Sequence, residues 1–124
     1  MAACILVVDD DTAVRSVVAE LILQLGYNVI VATSQEDALQ HLASNADIDL
    51  LFTDVIMPGG MYGPELAMAA TAIRPDLRVV FTTGYSSDPD VLRNWSGSNC
   101  PVLYKPYRRS DLAATLAKTI DGRN

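Results

Sequence analysis

Short apolar runs alternate along the chain with longer segments whose apolar residues recur every three or four positions. The runs CILVV (4–8), NVIVA (28–32), IDLLFT (48–53), RVVFT (78–82) and PVLY (101–104) predict five strands. All but the second are nearly continuous in apolar residues, as strands covered on both faces are. Between the first two, Val14, Val17, Val18, Leu21, Ile22 and Leu25 recur at the spacing of one helix face. Asp11 or Thr12 can cap that helix and Gly26 can end it. Ser34 opens a second helix with Ala38, Leu39 and Leu42 inward. A third places Leu66, Ala69, Ala70 and Ile73 on one face, with Pro64 in its first turn and Pro75 as its stop. Ser110 and Asp111 open the last, which continues through Leu112, Leu116 and Ile120. The intervening SSDPDVLRNWSGSN (86–99) has a start signal but little periodicity, and predicts a short or irregular helix.

Strands separated by helices imply βαβ units with right-handed crossovers, hence a parallel sheet covered by helices on both faces. In such sheets the chemistry lies beyond the carboxyl ends of the strands. Asp9 to Asp11, Asp54, Thr83 and Lys105 each follow directly on a predicted strand and so fall along one edge.

The stretch ILVVDDD (5–11) drives an apolar strand into three consecutive carboxylates. Two carboxylates about 6 Å apart at an effective dielectric near 20 repel by roughly 3 kcal/mol. Either these side chains fan into water as a turn and helix cap, or a cation gathers them. Clustered oxygen ligands suit a hard divalent ion, and Mg²⁺ typically takes one or two carboxylates together with waters and phosphate oxygens. A carboxylate touching that ion is a nucleophile toward a phosphoryl group. The ion and a Lys ammonium would neutralise the transferred charge, and a Thr hydroxyl would hydrogen-bond the product oxygen.

With 124 residues, half of them hydrophobic, the chain is expected to form one domain with a real core. No apolar run approaches the length of a membrane span, and the N-terminus carries no secretory pattern. The expected location is the cytoplasm, where Cys4 and Cys100 read as reduced, buried thiols. A net charge of −6 disfavours direct nucleic-acid binding.

The motifs VVDDD (7–11), TDVIMP (53–58), TTG (82–84) and YKPY (104–107) stand in order at suitable separations. With them the chain resembles, from end to end, a receiver domain of the two-component response-regulator family. The resemblance implies a flavodoxin-like (βα)5 fold, α/β and doubly wound, whose five-stranded parallel sheet has the order 2-1-3-4-5. It implies residues 1–124 as a single receiver with no output domain. Asp54 would accept the phosphoryl group. Asp10 would ligate Mg²⁺ (or Mn²⁺) directly, Asp9 largely through water, and the Ile56 backbone carbonyl would complete the set with Asp54. Thr83 and Lys105 would engage the phosphoryl group, and Pro106 would follow a cis peptide in the family's manner. Asp11 falls outside the metal-binding pair and reads as a helix cap.

The loop MPGGMYG (57–63) is one residue longer between Pro58 and Gly63 than the commoner family form. With PELA and TTGYS it resembles receivers attached to hybrid sensor kinases. Three positions before Lys105, where the family often has an aromatic switch residue, stands Val102. Ile56 and Tyr85 occupy the flanking positions that govern dephosphorylation in the family, and Gly84 leaves the kinase-side entry open. The partners implied are a histidine kinase or histidine phosphotransfer protein as donor and a downstream protein target. No membrane insertion is expected. His41 and the pair Arg108 and Arg109 read as solvated, and Trp95 either covers the sheet edge or marks a partner surface.

The same residues admit other functions. A metal-dependent phosphatase or phosphotransferase would also use an aspartyl phosphate, but it wants a second Asp two residues after the nucleophile, where Ile56 stands. A binding-only receiver and a flavin-binding domain of the same topology are further alternatives, opposed by the intact site residues and by carboxylates where a flavin phosphate would sit.

Overall fold

A computed structural model describes residues 3–9, 11–45, 47–55, 63–83, 102–104 and 107–121. Within them the chain runs β1 (Cys4–Val8), α1 (Thr12–Gln24), β2 (Asn28–Ala32), α2 (Gln35–Ser44), β3 (Ile48–Asp54), α3 (Gly63–Ile73), β4 (Arg78–Thr83), β5 (Val102–Tyr104) and α4 (Arg109–Asp121). The strands form one parallel sheet of order β2-β1-β3-β4-β5, the order the family resemblance implies. Two strands extend one residue further than their apolar runs. Asp54 closes β3 and Thr83 closes β4, because the Asp54–Thr82 pairing continues the ladder past the apolar residues. The expected helix over 86–99 lies outside the described residues.

Alternation along the strands sends side chains to two separate cores. Leu6, Val8, Leu51, Val79 and Phe81 pack with Ala38 and Leu42 of α2 and Leu66, Ala67 and Ala70 of α3. Ile5, Val7, Leu50, Phe52 and Val80 pack with Val18 and Ile22 of α1 and Leu112 and Leu116 of α4. Burying both faces explains why most of the strands read as nearly continuous apolar runs.

Helix faces follow the predicted periodicity at their centres and depart from it at their margins. Val17 is 60% exposed and Ile73 is 43% exposed, so neither is the inward residue expected. At 3.6 residues per turn, Val17 lies about 85° from the middle of the buried stripe of α1. On α3 the neighbour Ala67 takes a buried place instead, since a methyl fits where helix and sheet approach closely.

The caps set where the helices begin. Asp11 takes the N-cap of α1, its carboxylate accepting from the N–H groups of Ala13 (3.0 Å) and Val14 (3.2 Å). Ser34 does the same for α2 through the N–H of Asp37 at 3.0 Å. Gly26, with φ +99°, follows α1 in the left-handed region that favours glycine. Cys4 is buried and free, and burial followed by Asp49 and Asp47 pushes its thiol pKa up. Cys100 lies outside the described residues. No helix among the described residues is long and apolar enough to cross a membrane.

Candidate functional site

Parallel register assembles the site before any side chain is considered. Val8 pairs with Thr53 and Asp54 pairs with Thr82, so the next residue of the chain after β1, Asp9, comes abreast of Asp54. Neighbouring strands lie about 4.8 Å apart, which sets Asp9, Asp54 and Thr82 in a row across the carboxyl edge. Asp9 and Asp54 are both buried, each only 8% exposed, and Thr82 is 3% exposed. All three line one cavity together with Val7, Val8, Val14, Val18, Phe52 and Tyr107.

Each carboxylate has its own donor, Asp9 within a turn and Asp54 across the β3–β4 ladder. Asp9 Oδ1 accepts from the Asp11 N–H at 2.9 Å, which tightens the passage from β1 into α1. Arg15, one turn into the helix, donates from Nη1 to the Asp9 carbonyl at 2.7 Å. The Thr82 hydroxyl donates to Asp54 Oδ1. Behind Asp54 the chain is fastened by the Val55 N–H to the Thr82 carbonyl (2.9 Å) and by the Gly63 N–H to the Val55 carbonyl (2.7 Å).

Gly63 is a close-approach glycine. A Cβ there would overlap the Asp54 carbonyl oxygen and lie 3.0 Å from its carbon and 3.1 Å from Val55 Cα. These are backbone atoms that no rotamer change can clear. Gly63→Ala is therefore expected to lower unfolding free energy by about 1–3 kcal/mol in urea titrations. Phosphoryl acceptance should fall with it, because the shifted atoms carry Asp54.

Tyr107 is half-buried at the cavity wall. Its phenol pKa is pushed up to about 12 by burial first, then by the negative charge of Asp54 and of Asp9. The phenol stays protonated, and therefore a hydrogen-bond donor, at neutral pH. A pKa raised above the unfolded value of about 10 adds stability that is complete below pH 10 and lost as pH rises through about 12. Ultraviolet titration of phenolate should show a late tyrosine absent from Tyr107→Phe, and Asp54→Asn should draw its midpoint down toward 10.

Of the residues expected from the sequence, Asp9 and Asp54 are brought together, and Asp11 serves as the cap. The backbone of Thr83 ends β4, while its side chain lies outside the described part of the structure. Asp10, Ile56, Gly84, Tyr85, Lys105 and Pro106 also lie outside the described residues. Val102, in place of a switch aromatic, is partly buried against the first core. His41 approaches Asp37 at 3.4 Å on α2, away from the site. Sequence reading missed three contributors: Thr82, Tyr107 and Arg15. Thr82 was recoverable by counting register from Asp54, whereas nothing local distinguishes Arg15 from other charged residues of a first helical turn.

Two buried carboxylates on neighbouring strands give an all-oxygen donor set suited to a hard cation such as Mg²⁺. Among the described residues no group of three His, Cys, Asp or Glu gathers here. The remaining expected ligands, Asp10 and the Ile56 carbonyl, are not among those residues.

A doubly wound sheet of this order, with two buried carboxylates at its carboxyl edge, has the flavodoxin-like fold. The family model "Response regulator receiver domain" matches residues 5–117, and the chain belongs to that family. The response regulator receiver protein CpdR of Brucella abortus is 33% identical over 121 residues, covering 94% of this chain and 95% of the relative. The sensor kinase CckA of the same organism is 29% identical over 96% of this chain, which spans only 13% of that much longer protein. A receiver domain protein from Clostridium thermocellum superposes with a TM-score of 0.85 at 28% identity, covering 98% of this chain and 96% of the other. The chain is a phosphoacceptor signalling receiver, and these relatives give no support to the phosphatase alternative. The family is generally Mg²⁺-dependent in its phosphorylation. Its members interact with histidine kinases and downstream targets.

Proposed function

We propose that Asp54 takes a phosphoryl group from a phosphohistidine on a histidine kinase or histidine phosphotransfer protein, with Mg²⁺ (or Mn²⁺) bound beside it. The observation that carries this reading is the pairing of buried Asp9 and Asp54 on adjacent strands in one cavity. A fold that buries two like charges so close gains by binding a cation. Asp9, Asp10, Asp54 and the Ile56 carbonyl would hold the ion, which when bound neutralises charge on the entering phosphoryl oxygens.

The chain's own residues do the rest. One oxygen of Asp54 attacks phosphorus while the imidazole of the donor departs. The turn at Asp9 and the backbone bonds of Val55 fix the direction from which it attacks. Thr83 and Lys105 would then engage the phosphoryl oxygens, and that engagement would signal the loaded state to a protein partner. Ile56 has no side-chain group to hydrogen-bond a hydrolytic water and the bulk of Tyr85 would hinder one, residue types that favour a persistent mark. Self-phosphorylation from small donors and slow self-dephosphorylation are the only catalysis this reading requires, and its natural setting is the cytoplasm.

The test is intact mass after incubation with a small-molecule phosphodonor and Mg²⁺, with and without chelator. Addition of one phosphoryl group, abolished by the chelator, is expected. A mass unchanged by donor and metal would refute the reading.

A further inference from the structure

We propose that the Thr82 hydroxyl stabilises the Asp54 carboxylate as it leaves phosphorus, and so sets how quickly the phosphoryl mark is lost. The inference rests on Asp54 as the phosphoacceptor. It concerns Thr82, the residue before the threonine expected to sense the phosphoryl group.

The placement of Thr82 is specific. It pairs with Asp54 across the β3–β4 ladder, and its parity is that of Val80, while Asp54 shares the parity of Leu50 and Phe52. Both side chains therefore emerge on the face covered by α1 and α4. The described strand residues around it on that face are apolar: Val7, Phe52, Val80 and Leu103, the last paired with Thr82 across the β4–β5 ladder. A valine would serve packing equally well there, yet the position carries a hydroxyl. That hydroxyl is buried and has a single proton, which it donates to Asp54 Oδ1.

The bond changes strength during the reaction. In the acyl phosphate, phosphorus is bonded to Oδ2 and Oδ1 is a neutral ester carbonyl. During hydrolysis a water oxygen bonds to phosphorus and the phosphorus–Oδ2 bond breaks. Its electron pair stays on Asp54, and a water proton passes to solvent. The products are inorganic phosphate and a carboxylate whose charge is shared by Oδ1 and Oδ2. A hydroxyl bonded to a carboxylate makes a charge-assisted hydrogen bond, roughly twice as strong as one to a neutral carbonyl. Thr82 therefore binds the departing carboxylate better than it binds the phosphorylated residue, which lowers the barrier to departure. By the same difference it favours the unloaded form at equilibrium.

Phosphoramidate and Mg²⁺ would load the wild-type chain, Thr82→Val, Thr82→Ala and Thr82→Ser, with Asp54→Asn as the unlabelled control. After donor removal at constant Mg²⁺, intact mass follows loss of the phosphoryl group, and thermal melts report folding. Thr82→Val keeps the shape and the strand propensity, and Thr82→Ala guards against the valine failing to fold. Both are expected to lose phosphate about three- to tenfold more slowly than wild type, while Thr82→Ser, which keeps the hydroxyl, should stay within about twofold of it. Decay of Val and Ala variants at the wild-type rate would overturn the assignment and leave Asp54 as acceptor intact. Equal slowing in Thr82→Ser would transfer the effect to methyl packing and also overturn it. Failure of the folded Val and Ala variants to load would show the hydroxyl acting in loading rather than release. No labelling of the wild-type chain would instead refute the phosphoacceptor reading itself.

Discussion

Asp54→Asn is expected to reduce phosphoryl acceptance to below detection while leaving the fold in place. The amide has the size of the carboxylate and retains an oxygen that can accept from Thr82, so the hydroxyl keeps its partner. Backbone bonds on either side, from Thr53 Oγ1 to the Asp54 carbonyl at 3.1 Å and from the Val55 N–H to the Thr82 carbonyl, do not involve the side chain. What disappears is the anionic nucleophile, since a neutral amide oxygen attacks phosphorus poorly. A melting temperature at or above that of the wild type, measured beside the labelling assay, would separate lost chemistry from lost structure. Labelling of the variant at the wild-type level would place the acceptor elsewhere.

The second large effect concerns charge. Asp9 and Asp54 are buried side by side at the ends of adjacent strands, and two carboxylates about one strand spacing (~5 Å) apart repel by roughly 3 kcal/mol at an effective dielectric near 20. Asp9→Asn removes that repulsion yet keeps an oxygen for the Asp11 N–H, so the turn into α1 survives. Without metal, the variant is expected to melt several degrees higher than the wild type, in proportion to a gain of about 1–3 kcal/mol. The wild-type chain should itself gain stability as Mg²⁺ is added, because a ligand that binds only the folded state stabilises it. In Asp9→Asn that gain should shift to at least about tenfold higher Mg²⁺, the cost of one lost carboxylate. Scanning calorimetry across a Mg²⁺ series reads both effects. Identical melts for the two proteins at every concentration would show that the carboxylates do not share a cation.

Much of this architecture was legible in the sequence for a simple reason. A sheet buried on both faces demands largely apolar strands, and CILVV supplies an unbroken run while IDLLFT is broken only by Asp49 before its closing Thr53. The switch in period between strand and helix then fixed the order of elements. Asp9 and Asp54 were legible because a parallel sheet collects strand ends, so position along the chain translates directly into position in space. Helix margins were less legible: Val17 and Ile73 satisfy the periodicity but face outward, since spacing defines the middle of a stripe more sharply than its width.

Thr82 was obscured by its neighbour. In TTG two adjacent threonines compete for one role, and only the cross-strand register shows that the first of them reaches Asp54. Tyr107 was visible only as part of a motif. Its place in the wall of the acidic cavity depends on how α4 packs on the sheet, a tertiary relation that no local pattern encodes. Cap residues, by contrast, act within a few positions of themselves, and Asp11 and Ser34 do what their local sequence specifies.

Chemical trapping of the phosphorylated residue gives the most direct measurement. Borohydride reduces an acyl phosphate to the alcohol, converting a phosphorylated aspartate to homoserine, so peptide sequencing by mass spectrometry reads the acceptor position. After loading with phosphodonor and Mg²⁺, homoserine is expected at position 54 and at no other aspartate. Homoserine at Asp9, Asp10 or Asp11, or none anywhere in a chain that has gained the phosphoryl mass, would contradict phosphorylation at Asp54.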